Sequence, residues 1–499
     1  MNILLLSMPD SFEHMPTISV RMPNGALTSL AGNVDPHHKV AVADLVLAQQ
    51  TVRETVCQLM KSHDPDLVGL SIMTFQRRTA MAIMDLVRSL KPDVRIVVGG
   101  YDPSLARDVY TDVDDPKIDF LVKGEGEITF RELVRALEGD GAFERIEGLS
   151  FRRDGLFHHN PDRGVGTLEG GEIRPPRRSA RVLSGYTLMG RQIDVIETSR
   201  GCTFDCSFCS IIEMRGRNFH RFDVDRVIDD IRDAYEHGAR AIFFVDDNIT
   251  LNIARFETVC RAIIAAKLNS IHYLIQATTS SIADHGETLA PLMREAGFRY
   301  VFLGIENVVE EELVFLKASV KNKRRVNGRR IDNAAVKAIE HIRDNGMYVV
   351  GGLIVGNPTD TRAQIATNLA FALHWFDWPY IQHPTPYPGT PMAADLHKRG
   401  LVTSTNVEEY DGTTAVVACG KVSKTELEFL RWETERWIKL RHGWVTLGLD
   451  TRFTLTQGWR LLMHIFRGET IKSLLGIESR ARAFERYCEM RKAERRYLL

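Results

Sequence analysis

Cys202, Cys206 and Cys209 place three of the chain's seven cysteines inside the eight-residue stretch CTFDCSFC. Three thiolates at this spacing in one loop can converge on a metal centre but cannot complete it. A structural zinc site takes four protein ligands, and His220 is the only local residue that could supply the fourth. A [4Fe-4S] cluster held by three cysteines instead leaves one iron open for a substrate or cofactor. The remaining cysteines, Cys57, Cys260, Cys419 and Cys488, stand singly, which suits a reducing compartment better than a disulfide framework.

The elements around this loop say where it must sit. It follows DVIETS directly, the first of six apolar runs that continue with ARAIFFVDDN, IHYLIQATT, RYVFLGIEN, YVVGGLIVGNP and WPYIQHPTPYPGTP. Helical patterns such as VDRVIDDIRDAYEHG separate them. Six strand-helix repeats over 192–402 predict an open, partial (β/α)6 barrel of the TIM type, with its chemistry at the carboxyl ends of the strands. Upstream, over 1–151, the runs NILLLS, HKVAVADL, DLVGLSI, VRIVVGG and IDFLVKGEGE alternate with helical patterns and predict a doubly wound, Rossmann-like α/β domain of about five strands. These runs end at Ser7, Asp44, Ser71, Gly99 with Gly100, and Gly124 with Gly126, where the ligand crevice of such a sheet opens. Residues 152–191 break the rhythm with RRDGLFHHNPDRG and RPPRRSAR and read as a linker. Residues 403–499 read as a helical extension.

The whole chain of 499 residues carries 64 Lys and Arg against 65 Asp and Glu, so no global field favours nucleic acid, and partners must be argued locally. MNILLLSMPD lacks the basic start of a signal peptide and reads as a buried strand. No run reaches the roughly 18 apolar residues of a membrane span. A cytoplasmic protein is expected. The basic run Lys317 to Arg330 reads as a solvated loop, or as a site for an acidic electron donor or a phosphate-bearing substrate. The aromatic stretch HWFDWPY, with Trp375, Trp378 and Tyr380, is expected in the core rather than in a substrate wall. The basic C-terminal region holds Trp432, Trp437, Trp444 and Trp459; these fill core contacts beneath a solvated helix face, or else cover an apolar substrate or meet a membrane surface.

CTFDCSFC, with Phe208 before its last cysteine, resembles the CxxxCxxC signature of the radical S-adenosylmethionine (SAM) superfamily. The later strands extend the resemblance through VDDN, GIEN, GGLIVGNPTDT and PYPGTP. The resemblance implies that Cys202, Cys206 and Cys209 hold three irons and that SAM chelates the fourth. One electron then cleaves SAM to methionine and a 5'-deoxyadenosyl radical. It further implies SAM-binding roles for Phe208, Asp246, Asp247, Asn248, Gln276 and Glu306, although residues at strand ends also serve as helix caps or solvated termini. In the superfamily's GxIxGxxE pattern, Gly352, Ile354 and Gly356 match, while Thr359 stands in place of the glutamate.

The first domain resembles the cobalamin-binding domain of one branch of this superfamily, through SIM at Ser71 to Met73, GGYDPSL at Gly99 to Leu105 and VKGEGEITFREL at Val122 to Leu133. Ser71, Gly99, Gly100 and Glu125 would then line the cobalamin site, the glycines allowing close backbone approach. A domain that keeps the shape without a ligand is the alternative. DPHHKV, at Asp35 to Val40, nearly spells the DxHxxG of corrinoid proteins, but it precedes the second strand and so belongs at the wrong end of the sheet. His37 and His38 therefore read as loop residues, leaving cobalt without a DxHxxG histidine and His14 as an outside candidate. The segment PDSFEHMPTISVRMPNG, with Arg21, Pro23 and Asn24, is expected at the corrin or the domain interface. The resemblance implies methyl transfer to an unactivated carbon, with a ferredoxin or flavodoxin as electron donor, and the Trp-rich basic tail points to a hydrophobic small molecule as the substrate. A non-methylating radical reaction of the tetrapyrrole-cyclase kind is the alternative, and a corrinoid-binding sensor a more distant one.

Overall fold

The computed structural model describes residues 1–499 apart from 12–19, 113–116, 140, 167, 169, 189, 327–328, 450–475 and 495–499. Its strands in chain order begin with β1 (Asn2–Ser7), β2 (Val20–Arg21), β3 (Lys39–Asp44), β4 (Leu67–Ser71), β5 (Arg95–Gly99), β6 (Phe120–Val122), β7 (Leu149–Arg153) and β8 (Leu156–His159). The first sheet runs in the order β3-β1-β4-β5-β6-β7-β8. Its first five strands are parallel, and each presents apolar side chains to both faces: Leu4, Leu6, Val68 and Val98 enter one core, and Ile3, Leu5, Val97 and Val122 the other. The strand order reverses between β1 and β4, so their carboxyl ends diverge into a crevice.

The antiparallel hairpin β7–β8 carries this sheet to His159, past the expected limit at 151. Phe151 opposes Phe120 and is buried, which ties the hairpin to the domain rather than to a linker. His37 and His38 precede β3 at the amino end of the sheet, where His37 Nε2 lies 2.9 Å from Glu138 Oε2. They are at the end opposite the crevice, as their place in the sequence predicts. His14 lies outside the described residues.

The second sheet contains β9 (Thr187–Leu188), β10 (Arg191–Ile196), β13 (Ala241–Phe244), β14 (His272–Thr278), β15 (Phe298–Glu306), β18 (Tyr348–Ile354) and β19 (Trp378–Gln382). Between them stand two small pairs, β11 (Ser199–Arg200) with β12 (His220–Arg221) and β16 (Lys323–Val326) with β17 (Arg329–Asn333). Strands β10, β13, β14, β15, β18 and β19 are parallel and adjacent in sequence order, giving the expected open half-barrel. Helices cover its outer face. Helix Val224–Glu236, for example, buries Val227, Ile228, Ile231 and Ala234, one stripe at helical spacing. At the β10 edge, β9 and then β2 add antiparallel strands, so main-chain hydrogen bonds from the first domain extend the second sheet.

Residues 152–191 are anchored more firmly than a linker reading implies. Arg178 is buried and donates to Asp194 (2.9 Å), Asp230 (2.6 Å) and Asp233 (2.6 Å), while Arg181 forks onto Asp194. The arginines of RPPRRSAR thus pin the crossover to β10 and to helix Val224–Glu236. Past the barrel, helix Lys424–Leu449 lies along β19, and Arg431 Nε donates to the Ile381 carbonyl at 2.6 Å. Helix Arg480–Glu494 packs back on it through Trp432, Phe429, Phe484 and Tyr487. Trp432 is therefore a core contact, whereas Trp437 is exposed, and Trp459 with the side chain of Trp444 lies outside the described residues.

This packing encloses His383, just beyond β19, whose Nδ1 sits 3.0 Å from the Val355 carbonyl. Burial, reinforced by Arg431, pushes its pKa down to about 3. The unfolded chain takes up a proton near pH 6.5 that the folded chain refuses, so the contribution is present above pH 6.5 and is lost as pH falls toward 3. Thermal melting from pH 6.5 to 4.5 should show an acid-side loss that His383→Asn reduces, by up to about 1.4 kcal/mol per pH unit.

Candidate functional site

The three cysteines lie on the loop that leaves β10 and folds over the carboxyl ends of the barrel strands. Two consecutive acids after β13 hold its base. Asp246 accepts from the Thr198 N–H (2.8 Å), the Thr198 hydroxyl (2.6 Å) and the Ser199 hydroxyl. Burial pushes Asp246 up to about 6 against these bonds. Both of its oxygens are taken by the loop, so Asp246 braces the loop instead of pointing out of it. Asp247 accepts from the Gly201 N–H at 2.7 Å and from Arg215 at 3.1 Å. Gly201 has φ +90°, and a Cβ there would stand 2.4 Å from Asn218 Oδ1 and 2.5 Å from the Asn218 carbonyl. This turn needs glycine on both counts. His220, the local nitrogen donor, is paired through its backbone with Arg200 in β11–β12.

Asn248, Phe208 and Glu306 do converge on the thiols. Asn248 Nδ2 is 4.0 Å from Cys202 Sγ. Glu306, at the bulged end of β15, adopts φ +61° and meets Lys321 Nζ at 3.0 Å. Lys321 lies 5.7 Å over the Phe208 ring. Burial works against its charge, but Glu306 and the Cys206 and Cys209 thiols raise its pKa on balance, so it stays an ammonium beside the cysteines. Lys321 is therefore a site residue that the sequence hid inside a basic run; much of the rest of that run, including 327–328, lies outside the described side chains.

The thiols themselves are unpaired with one another and largely enclosed. Burial raises Cys206 and pushes Cys209 up to about 12, so any metal here displaces thiol protons as it binds. Phe204, Phe208, Phe315, Tyr387 and Met392 pack around them, and Ser207 is held by the carbonyls of Phe315 and Leu316. A set of three sulfur donors in an apolar shell with one adjacent cation fits an iron-sulfur cluster.

Below the loop, the face of the half-barrel away from the helices is half-exposed. Leu274, Gln276, Tyr300, Phe302, Tyr348, Val350, Trp378 and Tyr380 alternate with buried neighbours along β14, β15, β18 and β19. Tyr300 stacks on Tyr348, and Phe302 meets Tyr380 edge-on at 5.3 Å. A Cβ on Gly352 would lie 2.8 Å from the Phe302 ring, so the glycine makes room for that aromatic wall. Tyr380 thus lines the concave face with Phe302, whereas Trp378, on the same face, packs against the buried cluster of Tyr186, Leu188, Ile193 and Ala241, and Trp375 packs against the barrel core, so the expectation of core holds for both tryptophans. Their pattern was legible only once strand direction was known. Gln276 is on this same face, in register with Phe302. Gly356, with φ +88°, turns toward Leu427 of the C-terminal helix, and Thr359 donates to Glu312.

A cavity of about 410 Å³ lies between the crevice of the first sheet and the cysteine loop. Ser71, Gly99, Gly100 and Glu125 line it from the first domain, and Arg200, Arg215 and Asp247 from the second. Gly100 has φ +99°, and a Cβ there would stand 2.9 Å from both the N and O of Ile72. Asn24, which caps helix Gly25–Asn33, also donates to Ser71 Oγ at 3.3 Å, and Pro23 shares the wall. The cradle of glycine backbone suits a flat ligand approached closely by main chain, as the expected cobalamin requires. Helix Ser210–Arg215, starting directly after Cys209, contributes Met214 and Arg215 to the same cavity, so it borders the cluster site.

Comparison with known proteins agrees with this geometry. Residues 196–372 match the radical SAM superfamily, and residues 15–134 match the B12 binding domain. An uncharacterized methyltransferase of Pyrococcus horikoshii is 28% identical over 412 residues, 82% of this chain and 86% of that protein. An anaerobic magnesium-protoporphyrin IX monomethyl ester cyclase of Synechocystis is 29% identical over 332 residues, 64% of each chain. The structure of the radical S-adenosylmethionine methyltransferase TsrM from Kitasatospora setae superposes with a TM-score of 0.62 at 20% identity, covering 80% of this chain and 78% of that one. Both domains are matched in order and joined in one fold, so the chain carries a B12 binding domain followed by a domain of the radical SAM superfamily.

Proposed function

We propose that this protein is a cobalamin-dependent radical SAM methyltransferase that acts on an apolar small molecule. The observation that carries this reading is the juxtaposition of the glycine-lined cavity with the segment that bears the three cysteines. When bound, the cluster with SAM supplies a carbon-centred radical, and cobalamin supplies a transferable methyl group. The chain's own residues do the rest. Cys202, Cys206 and Cys209 hold the cluster, Asn248, Gln276 and Glu306 face the SAM side, and Ser71, Gly99, Gly100 and Glu125 receive cobalamin. Phe302, Tyr348 and Tyr380 give a substrate an apolar wall and exclude water from the reacting carbon. Holding the parts in register is the protein's main contribution. A ferredoxin or flavodoxin is the proposed electron donor and the cytoplasm the proposed compartment. Among the described residues no helix is long and apolar enough to cross a membrane.

The relation to a cyclase keeps a second reading specific: the same site could run a radical reaction without methyl transfer. Incubating the reduced holoenzyme with SAM carrying a deuterated methyl group and an apolar extract separates the two. The methyltransferase reading expects labelled apolar product together with S-adenosylhomocysteine and 5'-deoxyadenosine. Formation of 5'-deoxyadenosine with an altered but unlabelled product would establish the second reading. Narrowing the aromatic wall should matter under either: Gly352→Leu drives a side chain into the Phe302 ring and should lower kcat/KM by ~10²-fold, with iron content unchanged.

A further inference from the structure

The Gly124–Glu125 turn of the first domain and the start of the helix Gly126–Glu138 that follows it do more than line the cavity. Arg200, two residues before Cys202, is buried with only 5% of its side chain exposed and reaches across the domain boundary to Glu127 at 2.6 Å. It also meets Glu125 at 3.3 Å and the barrel's own Glu197 at 2.7 Å. Arg215, six residues past Cys209, lies 3.7 Å from Glu125 and 3.1 Å from Asp247. Asp247 in turn accepts the Gly201 N–H. Ser29 completes the shell by donating to Glu127 at 2.8 Å. Two acids at one helix start, the N-cap Glu125 and Glu127 in the first turn, therefore hold basic side chains at both ends of the cysteine-bearing segment, and both also line the cavity.

We infer that Glu125 and Glu127 are positioning residues that clamp the cysteine loop to the first domain, setting the orientation of the cluster relative to the cavity. A buried arginine fork held by three carboxylates, two of them from the first domain, fixes direction as well as distance, which a single exposed ion pair does not. The clamp touches neither thiols nor substrate; it acts through Arg200, Gly201 and Arg215. The inference rests on the cluster part of the proposed function and not on methyl transfer.

The test uses the cluster-loaded, cobalamin-free full chain, so that failure of the methyltransferase reading leaves it unaffected. Glu127→Gln breaks the shorter cross-domain arm while Arg200 keeps Glu197 and the longer contact to Glu125, which favours folding. Expected are unchanged iron content, ~10-fold faster amide hydrogen exchange in segments 199–203 and 210–216, and a changed spread of g-values for the reduced cluster with SAM present. Glu197→Gln, which removes a partner inside the barrel, should leave exchange in 210–216 as in the parent. Arg200→Lys, which keeps charge but loses the fork, should reproduce both changes and serves where Glu127→Gln does not fold. Parent-like exchange and an unaltered cluster signal in Glu127→Gln would overturn the inference, as would equal effects of Glu127→Gln and Glu197→Gln on segment 210–216.

Discussion

Replacing Cys206 by alanine should leave a folded chain that no longer holds its cluster. Cys206 is buried beside Leu313, Leu316, Ile354 and Met392, and alanine fits that shell with only a small cavity. The metal loses one of three thiolates. Anaerobically reconstituted protein should drop from about four irons per chain to below about one, and reductive SAM cleavage should fall by at least ~10³-fold, because two cysteines cannot keep an open-iron cluster in place. Far-ultraviolet circular dichroism should be unchanged. Serine at the same position is the sterner version, since a hydroxyl keeps the size and loses the soft donor. Retention of four irons by Cys206→Ala would show that the ligand set has been misassigned.

Gly201→Ala should be nearly as damaging without touching a ligand. Alanine at φ +90° costs about 1–3 kcal/mol in backbone strain alone. The added Cβ also meets the Asn218 carbonyl at 2.5 Å, a backbone atom that cannot swing aside. Relief requires the turn to open, which breaks the Gly201 N–H bond to Asp247 and displaces Cys202 from the other thiols. We expect slow or incomplete cluster assembly, with iron below half that of the parent, and a melting temperature lower by several degrees. Asn218→Ala in the same chain removes the Oδ1 contact but not the carbonyl or the strain, so it should restore only part of the loss. Full recovery would place the cost in the side chain and not in the turn.

The parts of the site legible in sequence are those where chemistry is local. The cysteine spacing, Phe208 and the strand-end position of the loop needed no tertiary information, and neither did the strand count of the half-barrel. The placement of His37 and His38 away from the crevice followed from their position before a strand, because parallel sheets fix which end each loop reaches. What sequence hid were partnerships between distant segments. Lys321 looked like one more cation in a soluble run, and only the fold of residues after β15 brings it to Glu306 and the thiols. Glu127 and Arg200 are separated by 73 residues and two domains, and nothing in either neighbourhood announces the other. Tyr380 reads as core because aromatic residues usually are; in an open barrel the inward face of an edge strand is a wall instead, although Trp378 on that face does meet a buried cluster. The hairpin residues after Phe151 and the arginines of 152–191 show the reverse, in which polar and turn-rich sequence conceals a strand pair and a buried ion network.

The assignment of two cofactors to one chain can be tested directly by metal content. The protein would be produced with hydroxocobalamin in the medium, purified without oxygen, and analysed for iron and cobalt, with mass spectrometry of the released corrinoid. The account predicts about four irons and one cobalamin per chain. Four irons without cobalt would contradict it, leaving a radical SAM enzyme whose first domain clamps the cluster loop but brings no methyl donor to the cavity.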